Sequence, residues 1–220
     1  MAYDMEQIRK LVLDQLAWDS RIDSKNITVE VSDHKVALFG KVHSYRERQA
    51  AQADVWAIPG VSSVENRIRV EHPDGTKVLS DDKIVWDVKS ALALNSSIDE
   101  TAIQVAVKNG VAFLNGSVDE FWKKQHVEEI SYDVPGVYEI VNTITVVPTK
   151  APFDQEIASD IMTALSRTGK IDPQSINVEV SGGRVVLRGK VPDWETYSSA
   201  YNIARYTRGV TDLVNELVIT

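Results

Sequence analysis

The chain has no cysteine, which excludes disulfides, thiolate nucleophiles and cysteine-ligated metals and leaves stability to packing. It has no apolar run near the roughly 20 residues that a membrane-spanning helix needs. Its N-terminus shows neither the basic start nor the continuous apolar stretch of a secretory leader. A cytoplasmic location is the expectation from these absences, or a periplasmic one where a native leader has been removed. Positive charge is also scarce. With 24 Lys and Arg against 32 Asp and Glu the net charge is −8, divided as −1 over residues 1–73, −5 over 74–150 and −2 over 151–220. An acidic surface repels phosphate backbones, so nucleic acid is not an expected partner and anionic lipid requires a local basic patch.

Catalytic groups are missing in the same way. His34, His43, His72 and His126 share no metal-ligand spacing. No nucleophile-elbow motif occurs, and no glycine cluster opens a helix as a phosphate-cradling loop would. No catalytic residue, cofactor or metal site is therefore expected, and the chain is read as non-enzymatic.

What the sequence does contain is itself, three times. Adding 76 to positions 8–70 reaches a second copy and adding 149 a third. Thirteen positions are identical in all three, among them Ile8/Ile84/Ile157, Leu16/Leu92/Leu165, Asp23/Asp99/Asp172, Leu38/Leu114/Leu187, Gly40/Gly116/Gly189, Gly60/Gly136/Gly209 and Asn66/Asn142/Asn215. Internal repetition sets the domain count before any other signal. Three domains are expected, at 4–71, 80–147 and 153–220.

Within one copy, Ile8, Val12 and Leu16 recur at helical spacing and predict a first helix. Two period-two runs, Ile27-Val29-Val31 and Val36-Leu38-Gly40-Val42, flank Ser32-Asp33-His34-Lys35, which in the other copies reads Asn109-Gly110 or Gly182-Gly183. That is hairpin-turn chemistry. A second helix with Ala51, Val55 and Ile58 inward stops at Pro59-Gly60, and Val64, Asn66, Ile68 and Val70 make a last strand. The fold class expected is α+β: three tandem αββαβ domains, each with two helices on one face of a three-stranded mixed sheet. Linkers at 71–76 and 147–152 are short and proline-bearing.

The strand Val36-Ala37-Leu38-Phe39-Gly40-Lys41-Val42, its copies at 112–118 and 185–191, the Pro-Gly-Val turn and the following asparagine strand resemble the BON domain, named for bacterial osmotically inducible and nodulation proteins. The resemblance covers nearly the whole chain apart from the linkers. It implies a non-enzymatic domain of envelope and stress-response proteins that associates with phospholipid or membrane surfaces and is found also in a potassium-binding protein. The family brings no invariant ligand-binding set, so no residue is carried over. Thr207-Arg208 departs from the pattern where the other copies have Ile58-Pro59 and Val134-Pro135.

Asp23/Asp99/Asp172 reads as a turn aspartate bonding nearby amides, and Asn66/Asn142/Asn215 as a buried amide satisfying backbone beside the glycine turn. Gly40 and its copies mark a place where a helix or a bulge presses close to the strand. Tyr45/Phe121/Trp194, aromatic throughout, reads as packing at the entrance to the second helix. Positions apolar in one copy and polar in the others mark surfaces peculiar to that copy: Trp56, Trp86, Trp122 and Phe39, with packing between repeats the expected use. Alternation puts Lys35, Lys41, Arg67 and Arg69 on the outer sheet face of copy one, Arg184, Arg188 and Lys190 on that of copy three, and Lys108 alone on that of copy two. The expected partners are an anionic phospholipid surface or a membrane-associated protein, with a monovalent cation such as potassium, held by the turns at Asp23–Asn26, as the alternative, and a protein scaffold as a third.

Overall fold

The computed structural model describes residues 3–71, 79–150, 152–169 and 171–219. His72 and most of the first linker, together with Ala151 of the second, lie outside them. Copy one runs α1 (Met5–Trp18), β1 (Ile27–Ser32), β2 (Lys35–Val42), α2 (Tyr45–Trp56) and β3 (Ser63–Val70). Copy two runs α3 (Asp81–Ala93), β4 (Ile103–Lys108), β5 (Val111–Val118), α4 (Phe121–Tyr132) and a last strand split into β6 (Glu139–Asn142) and β7 (Thr145–Val146). Copy three runs α5 (Asp154–Arg167), β8 (Ile176–Ser181), β9 (Arg184–Val191), α6 (Trp194–Arg205) and β10 (Asp212–Ile219).

Each sheet is mixed. β1 pairs antiparallel with β2 and β3 parallel with it, and β8, β9 and β10 repeat that order. In copy two β5 is central, flanked by β4 and β6, with β7 beside the end of β5. α1 starts at Asp4, whose carboxylate accepts the Gln7 amide while the Gln7 side chain returns to the Asp4 amide, so two orphan donors are satisfied at once.

The helical stripe and the strand alternation converge on one core per end of the chain. Ile8, Val12, Leu16, Leu38, Val55 and Ile68 are fully buried in copy one, each worth roughly 1.5–3 kcal/mol by removal from water. The core of copy three, built on Ile157, Ile161, Leu165 and Leu187, also takes in Phe121 and Val146 of copy two. By internal contacts the chain forms two compact units: Met1–Val88 with Ala106–Ala112 and Ile130–Val141, and Lys89–Val105 with Phe113–Glu129 and Asn142–Thr220. The boundary thus runs through copy two.

Each unit contains one junction between copies. In the first, Tyr45 stacks on Tyr132 at 3.9 Å between ring centroids, and Arg46 lies 3.6 Å from Asp133. In the second, Arg205 bonds Glu129 at 2.6 Å, Gln125 donates to the Tyr201 hydroxyl, and Trp122 meets Tyr206 with centroids 6.2 Å apart. Trp122 is thus a copy-specific aromatic that lies against the next copy.

The strand glycine is explained by a neighbour other than a helix. Gly40 has φ +119, and a Cβ on it would overlap the carbonyl oxygen of Asn26, the last residue of a 3-10 turn (Ser24–Asn26) leading into β1. Gly116 and Gly189 meet the carbonyls of Ala102 and Ser175 in the same way. Gly182, in the hairpin turn of copy three, also has positive φ, +59, but a side chain there would meet nothing within 4 Å of its Cβ. Alanine at Gly189 is therefore expected to destabilise the chain by more than about 4 kcal/mol, against about 1–2 kcal/mol at Gly182, where only the left-handed backbone is strained. Denaturant unfolding of the two variants checks this, and equal losses would remove the carbonyl contact as the cause.

Candidate interaction surfaces

The shared polar residues are architectural. Asp23, Asp99 and Asp172 each accept the amide two residues on, from Lys25, Thr101 and Gln174, and so cap the 3-10 turn before the first strand. Asn66 accepts the Ile68 amide at 3.1 Å and donates to the Arg48 carbonyl at 2.9 Å and to Gln52. Asn142 repeats this with Ile144, Lys124 and Glu128. The asparagine therefore ties the last strand to the second helix; the glycine turn expected as its partner is not the one it uses. In copy three, Tyr197 and Tyr201 stand where the others have Arg48 and Gln52, or Lys124 and Glu128, and the buried Nδ2 of Asn215 has no hydrogen-bond partner among the described residues.

Two further anchors were not foreseen. The Asp81 carboxylate accepts the amides of Asn109 at 2.9 Å and Gly110 at 3.0 Å, and Asp154 accepts those of Gly182 at 2.8 Å and Gly183 at 2.9 Å. The first residue of the helix thereby clamps the hairpin turn. Copy one has Met5 at that position and uses His34 Nδ1 against the Gly60 carbonyl, 2.9 Å away. The second anchor is Glu47, 7% exposed, which accepts the amides of Asp23 at 2.6 Å and His43 at 2.9 Å. Lys123 and Thr196 replace it elsewhere.

The copy-specific aromatics divide. Trp56 is half-buried against the core of copy one, and Tyr45, Phe121 and Trp194 are likewise drawn into packing. Trp122 is half-buried, its Nε1 donating to Glu120 at 2.6 Å. Trp86 is 63% exposed, with Lys83 Nζ 4.7 Å from its ring centroid. Phe39 lies partly covered on the outer sheet face, with the Arg67 guanidinium 5.5 Å from its ring. Sequence reasoning passed over Trp18, 82% exposed, and Leu94, 88% exposed. They occupy equivalent positions, with Arg167 in copy three, so the comparison of copies held the signal.

The basic residues also divide. On β9, Arg184 faces Asp212 at 3.3 Å and Arg188 is shared by Glu216 at 2.6 Å and Glu179, so only Lys190 of that set lacks a carboxylate partner among the described residues. Copy one is different. Lys41 reaches Glu71 and Arg67 reaches Glu65, both pairs exposed, while Lys35 and Arg69 have no ion pair among the described residues. Lys35, Phe39, Lys41, Arg67 and Arg69 share one face by the register Lys35↔Ser63, Phe39↔Arg67 and Lys41↔Arg69. Among the described residues no group of three or more His, Asp or Glu gathers to hold a metal, and no helix is long and apolar enough to cross a membrane.

Removing the Asp154 carboxylate leaves two turn amides without their acceptor. Asp154→Ala is expected to cost about 1–3 kcal/mol in unfolding, and Met5→Asp in copy one to cost or gain less than about 0.5 kcal/mol because Asp33-His34 presents a different turn. Equal stability of Asp154→Ala and the parent would count against the clamp.

A family model described as BON domain matches residues 4–72, 80–148 and 153–220. The chain is similar to a 21 kDa hemolysin of Actinobacillus pleuropneumoniae, at 27% identity over 66% of this chain and 75% of that protein. It is similar also to osmotically-inducible protein Y of Escherichia coli strain K12, at 25% identity over 56% of this chain and 63% of that one. The C-terminal domain of CdsD, a structural protein of the type III secretion system of Chlamydia trachomatis, aligns over 99% of this chain at 12% identity with a TM-score of 0.27, a likeness too weak to define the fold.

Proposed function

Because the chain belongs to the BON-domain family, in three successive copies, we propose that it serves in osmotic or envelope stress by docking on anionic phospholipid surfaces through the outer sheet face of copy one. The observation that carries this reading is the contrast between the basic faces. Arg184 and Arg188 in copy three face three carboxylates on neighbouring strands, whereas of the four cations around Phe39 in copy one Lys41 and Arg67 have one carboxylate each and Lys35 and Arg69 have no ion pair among the described residues. Exposed pairs exchange readily for lipid phosphates, because they contribute about 0–1 kcal/mol. Each well-placed cation adds about 1 kcal/mol near a charged leaflet, and an aromatic side chain suits the headgroup layer. Affinity is then modest and salt-sensitive, and holding more than one contact on a membrane raises it by effective concentration.

Co-sedimentation with phosphatidylglycerol vesicles tests this against phosphatidylcholine vesicles over a salt series. The expected result is binding to the anionic vesicles at low salt that fades toward about 0.3 M, a salt range in which the Debye length falls to a few ångströms. Arg67→Glu with Arg69→Glu should lower it more than tenfold, and Arg184→Glu should change it little. Failure to bind any anionic vesicle at low salt sinks the lipid reading. Heat on titration with potassium, sodium or calcium would in that event speak for a cation-responsive protein, and its absence for a protein scaffold.

A further inference from the structure

Copy one buries a carboxylate where the other copies carry a half-buried isoleucine. Asp54 of α2 is 8% exposed and takes the place of Ile130 in α4 and Ile203 in α6. Gln15 and Asp19, at the end of α1, replace Ala91 and Asn95 or Ala164 and Thr168. The groups facing Asp54 are these two and Arg21. Asp19 disfavours charge on Asp54 and Gln15 favours it, and Arg21 Nη2 stands within 4 Å of both carboxylates. Arg21 is committed to Asp19: its Nε lies 3.0 and 2.9 Å from the two oxygens and its Nη2 2.5 Å from Oδ2, but that same Nη2 stays 3.9 Å from Asp54. Asp54 Oδ2 is buried without a hydrogen-bond donor among the described residues.

An orphaned, buried carboxylate oxygen beside a second carboxyl is short of one hydrogen, and a proton supplies it. We infer that Asp54 and Asp19 hold a single proton between them, which makes copy one an acid-responsive element: acidification tightens the packing of α1 on α2, and deprotonation loosens it. Burial first, and the charge of Asp19 second, push the Asp54 carboxyl above the usual aspartate range, while the hydrogen bonds from Arg21 hold Asp19 down to about 2. The last turn of α2 presents its carbonyl dipoles near Asp54, which disfavours a negative charge there in the same sense.

The sign follows from proton linkage. The folded chain holds the Asp54 proton more tightly than the unfolded chain, so its contribution is present at and below the ordinary aspartate range near roughly pH 4 and is lost as pH rises through the folded value. Asp19 acts oppositely, since its pairing with Arg21 is kept above that range and lost as pH falls toward about 2. Copies two and three, with isoleucine at the Asp54 position, have no equivalent.

Hydrogen exchange of the full chain between pH 7 and about pH 4, the ordinary aspartate range, corrected for the intrinsic pH dependence of exchange, tests this copy by copy. The expected result is protection in α1 and α2 that rises several-fold on acidification while α5 and α6 change little. Asp54→Asn keeps the shape and the hydrogen-bond donor, and should show the high protection at both pH values. Asp54→Ile, the residue used by the sister copies, controls for folding and should also be insensitive to pH. The carboxyl carbon of Asp54 should titrate above the ordinary aspartate range in carbon-detected NMR. The inference is overturned if Asp54→Asn retains the parental pH response, if all three copies respond alike, or if Asp54 titrates within that ordinary range.

Discussion

Every copy depends on one close approach, that of the carbonyl ending the 3-10 turn to the strand glycine. The carbonyl of Asn26, Ala102 or Ser175 occupies the space in which Gly40, Gly116 or Gly189 would carry a side chain. This fixes where the chain enters the first strand, and with it the register Ile27↔Gly40 or Ile176↔Gly189. Register decides everything on the sheet, because a slip of one residue would exchange the core face for the solvent face. Val29, Val36 and Leu38 are buried and Lys35 and Lys41 project outward only because that entry point is held. The turn aspartate secures the other side of the same contact by capping the 3-10 turn, which is why it recurs in all three copies without belonging to any reactive cluster.

Around that constant, the copies solve the remaining polar problems differently. The asparagine of the last strand finds a helix carbonyl and an amide or carboxylate partner in copies one and two, but in copy three Tyr201 stands in place of the side-chain partner and the amide nitrogen has no hydrogen-bond partner among the described residues. An unmade bond of that kind costs about 1–3 kcal/mol. Copy three offsets it with the hairpin clamp from Asp154 and with apolar contacts from Phe121 and Val146. Copy one lacks the clamp, and instead stitches turn to loop through Glu47.

The sequence made the core, the hairpins and the glycine constraint legible, because each depends on residues whose spacing follows the period of helix or strand. Leu38, Leu114 and Leu187 could be nothing but interior. What stayed hidden depends on neighbours that periodicity does not report. Alternation places Arg184 and Arg188 on the outer face, but their neutralisation comes from Asp212 and Glu216 standing opposite them in the parallel register of β10, and from Glu179 on β8. Asp81 and Asp154 bond to turns 28 and 29 residues away, and copy one's Met5 breaks the pattern that would have exposed the clamp. Trp18 and Leu94 form an apolar pair at equivalent positions outside the helical stripe, legible only when the copies are compared position by position.

Positions at which one copy meets the next also differ among the copies. Arg46 and Trp122 are equivalent, as are Asp133 and Tyr206, so the same two sites carry an ion pair in the first junction and an aromatic pair in the second. Tyr45 and Phe121 are equivalent too, the one stacked on Tyr132 and the other buried in the core of copy three. An exposed ion pair such as Arg46–Asp133 contributes about 0–1 kcal/mol, whereas a buried phenylalanine removes enough apolar surface for about 1.5–3 kcal/mol. The second junction therefore draws a phenylalanine into a core, where the first rests on a stacked tyrosine pair and an exposed ion pair. Copy one carries both the buried carboxyl Asp54 and the basic face on which two cations have no ion pair among the described residues, so both responses proposed for this protein fall on the same copy.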